Sequence, residues 1–341
     1  MNRKPIRFGL YGSNPYRTGA LMDVSLELYP DNVDVVACLD INREAADVMA
    51  EKYEAKACYE EEVFLAHDMD VVLISLPPYL HPDAFVATCK AGKDVYLEKP
   101  VCIDQAGRKK VLEVAKSSKS QCYVGLSYRH INPFLKVAEI MKREDAGKLI
   151  GMYHHWITKT GPVDHSNWRN KLEQSGGQLV FHCCHLLDFF KWTGGPIVSI
   201  TATQYTSDKM PYPHEEQELN AAFEFNNGGL AVLNLSQCTH RNVQFGTINM
   251  ENLSIYYEWG KDTHVKVFKT RSRVPDEVYT WDVFDPNDEG GKGRNRRQMK
   301  EFLDAYLGDL PMPVGINDAI ASFDIAMAVR ESYKSGRKVI L

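Results

Sequence analysis

The chain has 341 residues, 44% of them hydrophobic and 25% charged, with a formal net charge of −5. That length carries about two domains and a core large enough to do without disulfides or a structural metal. The sequence holds no run of about 18 apolar residues, which excludes a membrane-spanning helix. The acidic balance argues against a nucleic-acid binder, and the N-terminus shows neither the apolar core nor the cleavage site of a secretory leader.

The first third alternates strands and helices. Ile6–Tyr11 reads as a short apolar strand ending at Gly12, with a helix from about Thr18 to Leu28. Val33–Leu39 is a second buried strand, and Asn42 is placed to cap the helix that follows. Val71–Ser75 is a strand stopped by Pro77 and Pro78; His81–Lys90 is helical and Gly92 ends it. Asp94–Leu97 is a strand, Gln105–Ser117 a helix and Gln121–Leu126 another strand. Continuous Val/Ile/Leu runs between helices predict a parallel sheet covered on both faces. A sheet of that kind binds its ligand beyond the carboxyl ends of its strands.

Two features there point to a dinucleotide. Gly12-Ser13-Asn14-Pro15-Tyr16-Arg17 occupies the strand-to-helix turn where backbone amides can face a pyrophosphate. The usual Gly-x-Gly-x-x-Gly is not met, because Asn14 stands at the second glycine and Arg17 at the third. Asn14 is expected to substitute through its tolerance of positive φ. Asp40 ends the second strand, where a carboxylate bonds both ribose hydroxyls and repels a 2′-phosphate, so NAD is favoured over NADP. Arg43 stands close enough to hold such a phosphate, which leaves NADP open.

From about residue 150 the pattern becomes alternating and aromatic-rich, as in Ile197–Tyr205, Leu219–Phe225, Leu230–Leu235 and Val243–Tyr257. Asn226–Gly229 reads as a hairpin turn. These stretches predict an open, mostly antiparallel sheet, with a helix over Leu179–Trp192 and another over Phe134–Arg143. One face of such a sheet stays free and favours self-association. Helices over Asn295–Leu307 and Asn317–Tyr333 complete the chain, and the basic cluster Lys292–Arg297 is placed in a solvated loop and helix start. The fold class is therefore α/β: a doubly wound parallel sheet in a dinucleotide-binding domain over 1–125, then an α/β domain over 126–341. The eight cysteines mostly sit in apolar runs without a Cys-x-x-Cys pair, as expected of reduced thiols in the cytoplasm.

Several ordered landmarks resemble the Gfo/Idh/MocA family. Ser75-Leu76-Pro77-Pro78-Tyr79-Leu80-His81 is similar to its strand-end TPxxxH, and Ala91–Pro100 to its AGKHVxxEKP. Val124–Arg129 resembles vGfxxR; Trp168-Arg169, then Gly176-Gly177, then His185–Asp188 resembles the family's W…GGG…HxxD. Gly336–Val339 is also typical. The resemblance covers nearly the whole chain and implies a Rossmann domain, an open-sheet domain and a nicotinamide lying between them. It implies Lys99 and His185 as site residues and a homodimer or homotetramer that acts on a sugar, sugar acid or cyclitol.

The chemistry agrees with that assignment. Alcohol oxidation needs a group to take the hydroxyl proton, and histidine titrates near working pH. Lys99 can stabilise the developing charge on the same oxygen. The expected cofactor set is Gly12, Ser13, Asn14, Asp40, Ile41, Pro77, His81, Glu98 and Lys99. The expected substrate set is Arg129, His155, Trp168, Arg169 and His182. One departure matters: redox members often carry Asp four residues before the histidine, and here Phe181 stands there. Asp188 is the alternative carboxylate. The departure keeps two other readings open, a member that cleaves or epimerises glycosides with transiently used NAD, and a non-catalytic dinucleotide-binding regulator. His182-Cys183-Cys184-His185 supplies too few suitably spaced ligands for zinc, so no metal is expected.

Overall fold

The computed structural model describes residues 4–159, 166–206, 216–282 and 291–341. The chain divides into two compact units, Met1–Leu126 with Asn295–Ile320, and Ser127–Arg294 with Ala321–Leu341. The expected continuous second domain is thus corrected: residues 295–320 fold with the first unit.

The first unit opens with β1 (Ile6–Tyr11), then a wide helical turn over Pro15–Gly19 that runs into α1 (Ala20–Leu28). It continues through β2 (Val33–Leu39), α2 (Arg43–Lys52), β3 (Lys56–Cys58), α3 (Glu61–Leu65) and β4 (Val71–Ile74). Then come α4 (His81–Lys90), β5 (Asp94–Leu97), α5 (Gln105–Ser117) and β6 (Cys122–Val124). The six strands are all parallel in the order β3-β2-β1-β4-β5-β6. Val71, Val72, Leu73 and Ile74 are wholly buried, as a strand covered on both faces requires. The order reverses between β1 and β4, so the ends of β1, β2, β4 and β5 border the crevice where such sheets take ligands.

The second unit holds α6 (Asn132–Met141), β7 (Leu149–Lys159), α7 (Leu172–Ser175), α8 (Gly177–Phe181) and α9 (Cys184–Gly194). The strands β8 (Ile197–Tyr205), β9 (Glu218–Phe225), β10 (Leu230–Ser236), β11 (Cys238–Met250), β12 (Ser254–Trp259), β13 (His264–Phe268) and β14 (Glu277–Thr280) follow. The chain ends in α10 (Gly291–Leu307), α11 (Ile316–Ser335) and β15 (Val339–Ile340). The nine-stranded sheet runs β14-β13-β12-β11-β7-β10-β9-β8-β15. Among the described residues of this sheet, only β7 and β10 pair in parallel. Strict alternation along β9, with Leu219, Ala221, Phe223 and Phe225 buried, gives the sheet one covered and one open face. The expected single stretch 243–257 is two strands, because Met250 N–H donates to Leu253 O and closes a turn there.

Why α10 returns to the first unit follows from one side chain. Phe302, 1% exposed, meets Phe8, Tyr96 and Tyr123 at ring-centre distances of 6.2, 5.3 and 5.5 Å. Burying an aromatic of that size contributes about 2–3 kcal/mol. Periodicity identifies such a helix but does not say which core its apolar face joins.

His154 shows how the second unit's core responds to acid. Its ring lies between Phe134 and Tyr257, its Nδ1 is 2.8 Å from the Tyr257 hydroxyl, and burial pushes its pKa from 6.5 down to about 3. The neutral ring is the folded form, so its stability contribution is complete above pH 6.5 and falls with pH below that value. Each pH unit from there towards 3 is expected to cost about 1.4 kcal/mol. Urea unfolding at pH 7 and pH 5 checks this: His154→Gln should flatten the difference, and an unchanged slope would refute the assignment.

Candidate active site

At the ligand-binding edge of the first unit, Gly12 has φ +101°, and a Cβ there would lie 2.4 Å from Ser75 O. Only glycine serves at such a position. The next amide, Ser13 N–H, donates to Asp40 Oδ2 at 2.8 Å, while Asn42 N–H donates to Oδ1 at 2.9 Å. The carboxylate is therefore fixed at the end of β2. Asn14 corrects the sequence expectation: its φ is −76°, and its Oδ1 accepts from Tyr16 and Arg17 N–H at 2.9 and 3.1 Å. It caps the helical turn rather than supplying a left-handed residue.

These residues fit an NAD. The Ser13 hydroxyl is buried and makes no hydrogen bond, a polar group waiting for a partner. Tyr16 and Ile41 are 90% and 95% exposed, apolar surface of the kind an adenosine would cover. Arg43 lies over the Tyr59 ring at 4.5 Å.

Arg17, at the place of the third glycine, has a role that the sequence does not disclose. Its Nη2 donates to Glu98 Oε1 at 2.5 Å and its Nη1 to Asn295 Oδ1 at 2.9 Å. Gln298, wholly buried, stands 3.5 Å from Nη2 and donates to the Tyr96 hydroxyl at 2.5 Å. Gly125 makes room for this network: a Cβ there would lie 2.8 Å from Glu98 Oε1 and 3.0 Å from Gln298 Nε2. Two residues of and beside the basic cluster thus serve an interior ion pair, whereas Arg296 pairs with Glu27 on the surface. Lys99 follows Glu98 directly and is half-buried. The Lys99–Pro100 peptide is cis. His81, expected among the cofactor residues, is 1% exposed, with Nδ1 2.7 Å from Pro100 O and Nε2 2.9 Å from Leu76 O. Its position is that of a latch between the segments carrying Pro77 and Lys99.

In the second unit Tyr128 and Arg129 meet His185 and Asp188. His185 is 7% exposed and stacks on Tyr128 at 4.6 Å with 3° between the planes. The Gln244 amide donates to the Tyr128 hydroxyl at 2.8 Å. Asp188, one turn beyond His185, accepts from Arg129 Nε at 2.9 Å and Nη2 at 2.7 Å. Arg129 also lies over Trp192 at 5.5 Å, so this expected substrate arginine forms a buried bidentate pair. The expected helix 179–192 is interrupted at His182 and Cys183, between α8 and α9. His182 is half-buried, its Nδ1 2.5 Å from Gln178 Oε1, with Phe181 at 4.4 Å and Trp156 at 5.8 Å. Trp168 packs its edge on Phe181 at 5.3 Å, and Arg169 lies over Trp168 at 4.4 Å.

His155 is corrected. Trp156 shares the covered face with Met152 and His154, so His155 points to the opposite face. There it stacks on Phe245 at 4.6 Å, with Nδ1 3.3 Å from Asn234 Oδ1. The period of two along β7 separates it from His182. Among the described residues, no group of three His, Cys, Asp or Glu could hold a metal ion. Burial pushes the Cys183 thiol up, away from the thiolate a metal needs.

Comparison with known proteins gives this geometry a family. Residues 8–126 match the model of the Gfo/Idh/MocA oxidoreductase family, NAD-binding Rossmann fold. Residues 134–256 match the Gfo/Idh/MocA C-terminal domain. The chain belongs to the Gfo/Idh/MocA family. Inositol 2-dehydrogenase of Rhizobium meliloti is 28% identical over 205 residues, 58% of each chain. Myo-inositol 2-dehydrogenase of Thermotoga maritima is 21% identical over 361 residues, 98% of each. The chain spans about half the length of the first curated relatives it matches. A levoglucosan dehydrogenase solved with NADH and levoglucosan shares the fold, with a TM-score of 0.83 at 18% identity over 99% of each chain.

The Gfo/Idh/MocA landmarks now have physical reasons. Gly176 and Gly177 have φ of +79° and +77°, and a Cβ on Gly177 would lie 2.6 Å from Arg330 Nη2. That guanidinium donates to Gly176 O at 2.6 Å and, through Nε, to Glu216 at 2.5 Å. Glu216, wholly buried, also accepts from Leu179 N–H at 2.9 Å and so fixes the start of α8. Neither Glu216 nor Arg330 carries a sequence signal, since isolated charges usually read as surface. Phe181 occupies the acidic position of many Gfo/Idh/MocA members and faces Trp168 and His182.

Proposed function

We propose that this chain transfers a hydride between NAD and a carbinol or keto carbon of a sugar, sugar acid or cyclitol. The observation that carries the reading is the pair of groups at the strand ends of the first unit: the Asp40 carboxylate fixed beyond β2 and the Lys99 ammonium beyond β5. Bound NAD would supply the hydride acceptor. Gly12, Ser13, Asp40 and Ile41 would hold its adenosine and phosphate portion. Lys99 Nζ would donate to the alcohol oxygen and stabilise its negative charge, and His185 would take the hydroxyl proton. Trp168 and Arg169 offer an aromatic face and a donor suited to a sugar ring. A screen of sugars, inositols and sugar acids with both cofactors, followed by reduced-nicotinamide absorbance, tests the reading. Turnover with one polyol class supports it; no turnover and no NAD binding would remove it.

NAD should be preferred over NADP, because the fixed Asp40 carboxylate repels a 2′-phosphate. Asp40→Ala is expected to weaken NAD binding roughly tenfold, about 1.4 kcal/mol, and to narrow the gap to NADP. Titration calorimetry with both cofactors checks it, and an unchanged preference would contradict it.

The open sheet face exposes Tyr153 and Leu230, which supports assembly into a homo-oligomer through that face. Sedimentation velocity distinguishes monomer, dimer and tetramer. No described helix is long and apolar enough to cross a membrane. Six buried thiols, at Cys38, Cys58, Cys89, Cys102, Cys183 and Cys184, support residence in a reducing compartment such as the cytoplasm.

A further inference from the structure

We propose that Cys89 and Cys122 form a redox-active dithiol, a modification site that closes to an intramolecular disulfide when a hydroperoxide reaches it and reopens with an external thiol. The inference concerns the first unit alone and does not rest on the hydride-transfer reading.

The backbone brings the two thiols together. Cys89 stands in the last turn of α4. Gly92, with φ +70°, ends that helix: its N–H donates to Cys89 O at 3.0 Å, and Lys93 N–H donates to Thr88 O at 3.3 Å, which turns the chain straight into β5. β5 pairs with β6, where Val95 stands opposite Cys122, the first residue of that edge strand. The Cys89 and Cys122 side chains meet directly, and both are free thiols. Cys89 is 6% exposed and Cys122 is half-buried. The pair lies at the amino ends of the strands, away from the carboxyl ends beyond which Asp40 and Lys99 stand.

The surroundings suit an attacking thiolate and a resolving thiol. The Cys122 thiol and the Ser120 and Ser118 hydroxyls hydrogen-bond to the Cys89 sulfur, which holds that thiol below its ordinary range against the opposing effect of burial. The same contact, with burial, pushes Cys122 up, so it keeps its proton until it is needed. The segment beside the pair is fixed: Ser118 Oγ accepts from Ser120 N–H at 3.0 Å and donates to Ser120 Oγ at 2.9 Å, and Cys122 Sγ lies 3.5 Å from Ser120 O. The Asp94 carboxylate faces both sulfurs, but it is engaged by Gln121 N–H and the Tyr306 hydroxyl, each at 2.7 Å. Burial pushes Cys38 up to about 12, and Cys183 up as well, so these thiols stay protonated and inert.

The chemistry closes in two steps. The Cys89 thiolate attacks one peroxide oxygen, the O–O bond breaks, and a sulfenic acid forms while the other oxygen leaves and is protonated to water. The Cys122 sulfur then attacks the sulfenic sulfur. The S–O bond breaks, the S–S bond forms, and the oxygen leaves with the Cys122 proton as a second water. Two thiols lose two electrons and one hydrogen peroxide is reduced to two waters.

Treatment of the folded full chain with hydrogen peroxide, then alkylation and non-reducing peptide mapping, reads the outcome, with fragment spectra separating Cys89 from Cys58. The expected result is a Cys89–Cys122 cross-link that dithiothreitol removes, formed roughly ten times or more faster than Cys38 or Cys183 is oxidised. In Cys122→Ser the intermediate has no resolving partner, so dimedone should capture Cys89 as a sulfenic acid. In Cys89→Ser, Cys122 should stay reduced. The wild-type map decides the matter even where a variant fails to fold. The proposal is overturned if both thiols can still be alkylated after the methionines have oxidised. It is also overturned if the first link formed joins either cysteine to a different thiol or to a second copy of the chain.

Discussion

Lys99→Met is expected to leave the protein folded and to lower kcat by roughly 10²–10⁴, the range general acid–base groups contribute. The position is structurally tolerant. Lys99 is half-buried, and the backbone around it is set by its neighbours: Glu98 N–H donates to Ile74 O at 2.9 Å, and Pro100 O faces His81 at 2.7 Å. Met keeps the length and apolar stem of Lys and removes only the charge and donors. NAD affinity should change much less than kcat, because in the proposed site the adenosine half would be held at Gly12, Ser13 and Asp40. Stopped-flow turnover and NAD titration on the same preparation separate the two effects. A loss below tenfold would remove Lys99 from the chemistry.

Arg17→Met is expected to destabilise the protein by about 3–5 kcal/mol, the cost of stranding one member of a buried ion pair. Glu98 is 6% exposed and its carboxylate meets Arg17 at 2.5 Å, with Tyr96 and Gln298 wholly buried nearby. Glu98→Gln should recover part of the loss in the double variant, because a neutral amide needs no counter-charge. Urea denaturation of the ligand-free protein measures both. A single-variant cost under about 1 kcal/mol would mean that the pair is solvated after all.

The parallel sheet was legible because strands such as Val71–Ile74 are apolar at every position, and a strand buried on both faces leaves no other pattern. Asp40 was legible for a similar reason: a carboxylate at a strand end after a glycine turn has few other uses. The Arg17 network was not. It depends on Asn295 and Gln298, which lie 278 and 281 residues away in sequence, and on a missing Cβ at Gly125. Glu216 and Arg330 escaped for the same cause, since the sequence gives no distance between residue 216 and residue 330. His155 was expected to reach the substrate, but alternation along β7 puts its ring on the face opposite Trp156, and the sequence does not say which face of a strand meets the site. Asn14 was read through its backbone tolerance when its side chain was already engaged as a cap.

The most direct measurement is isotope transfer. The protein is incubated with oxidised NAD and a pool of sugars, inositols and sugar acids carrying deuterium on carbon, and the nicotinamide is recovered for mass spectrometry. Deuterium should appear in the reduced nicotinamide ring, and Lys99→Met should suppress it. Recovery of unlabelled NAD alone, from a protein that binds the cofactor and is exposed to every polyol class, would contradict hydride transfer as its chemistry.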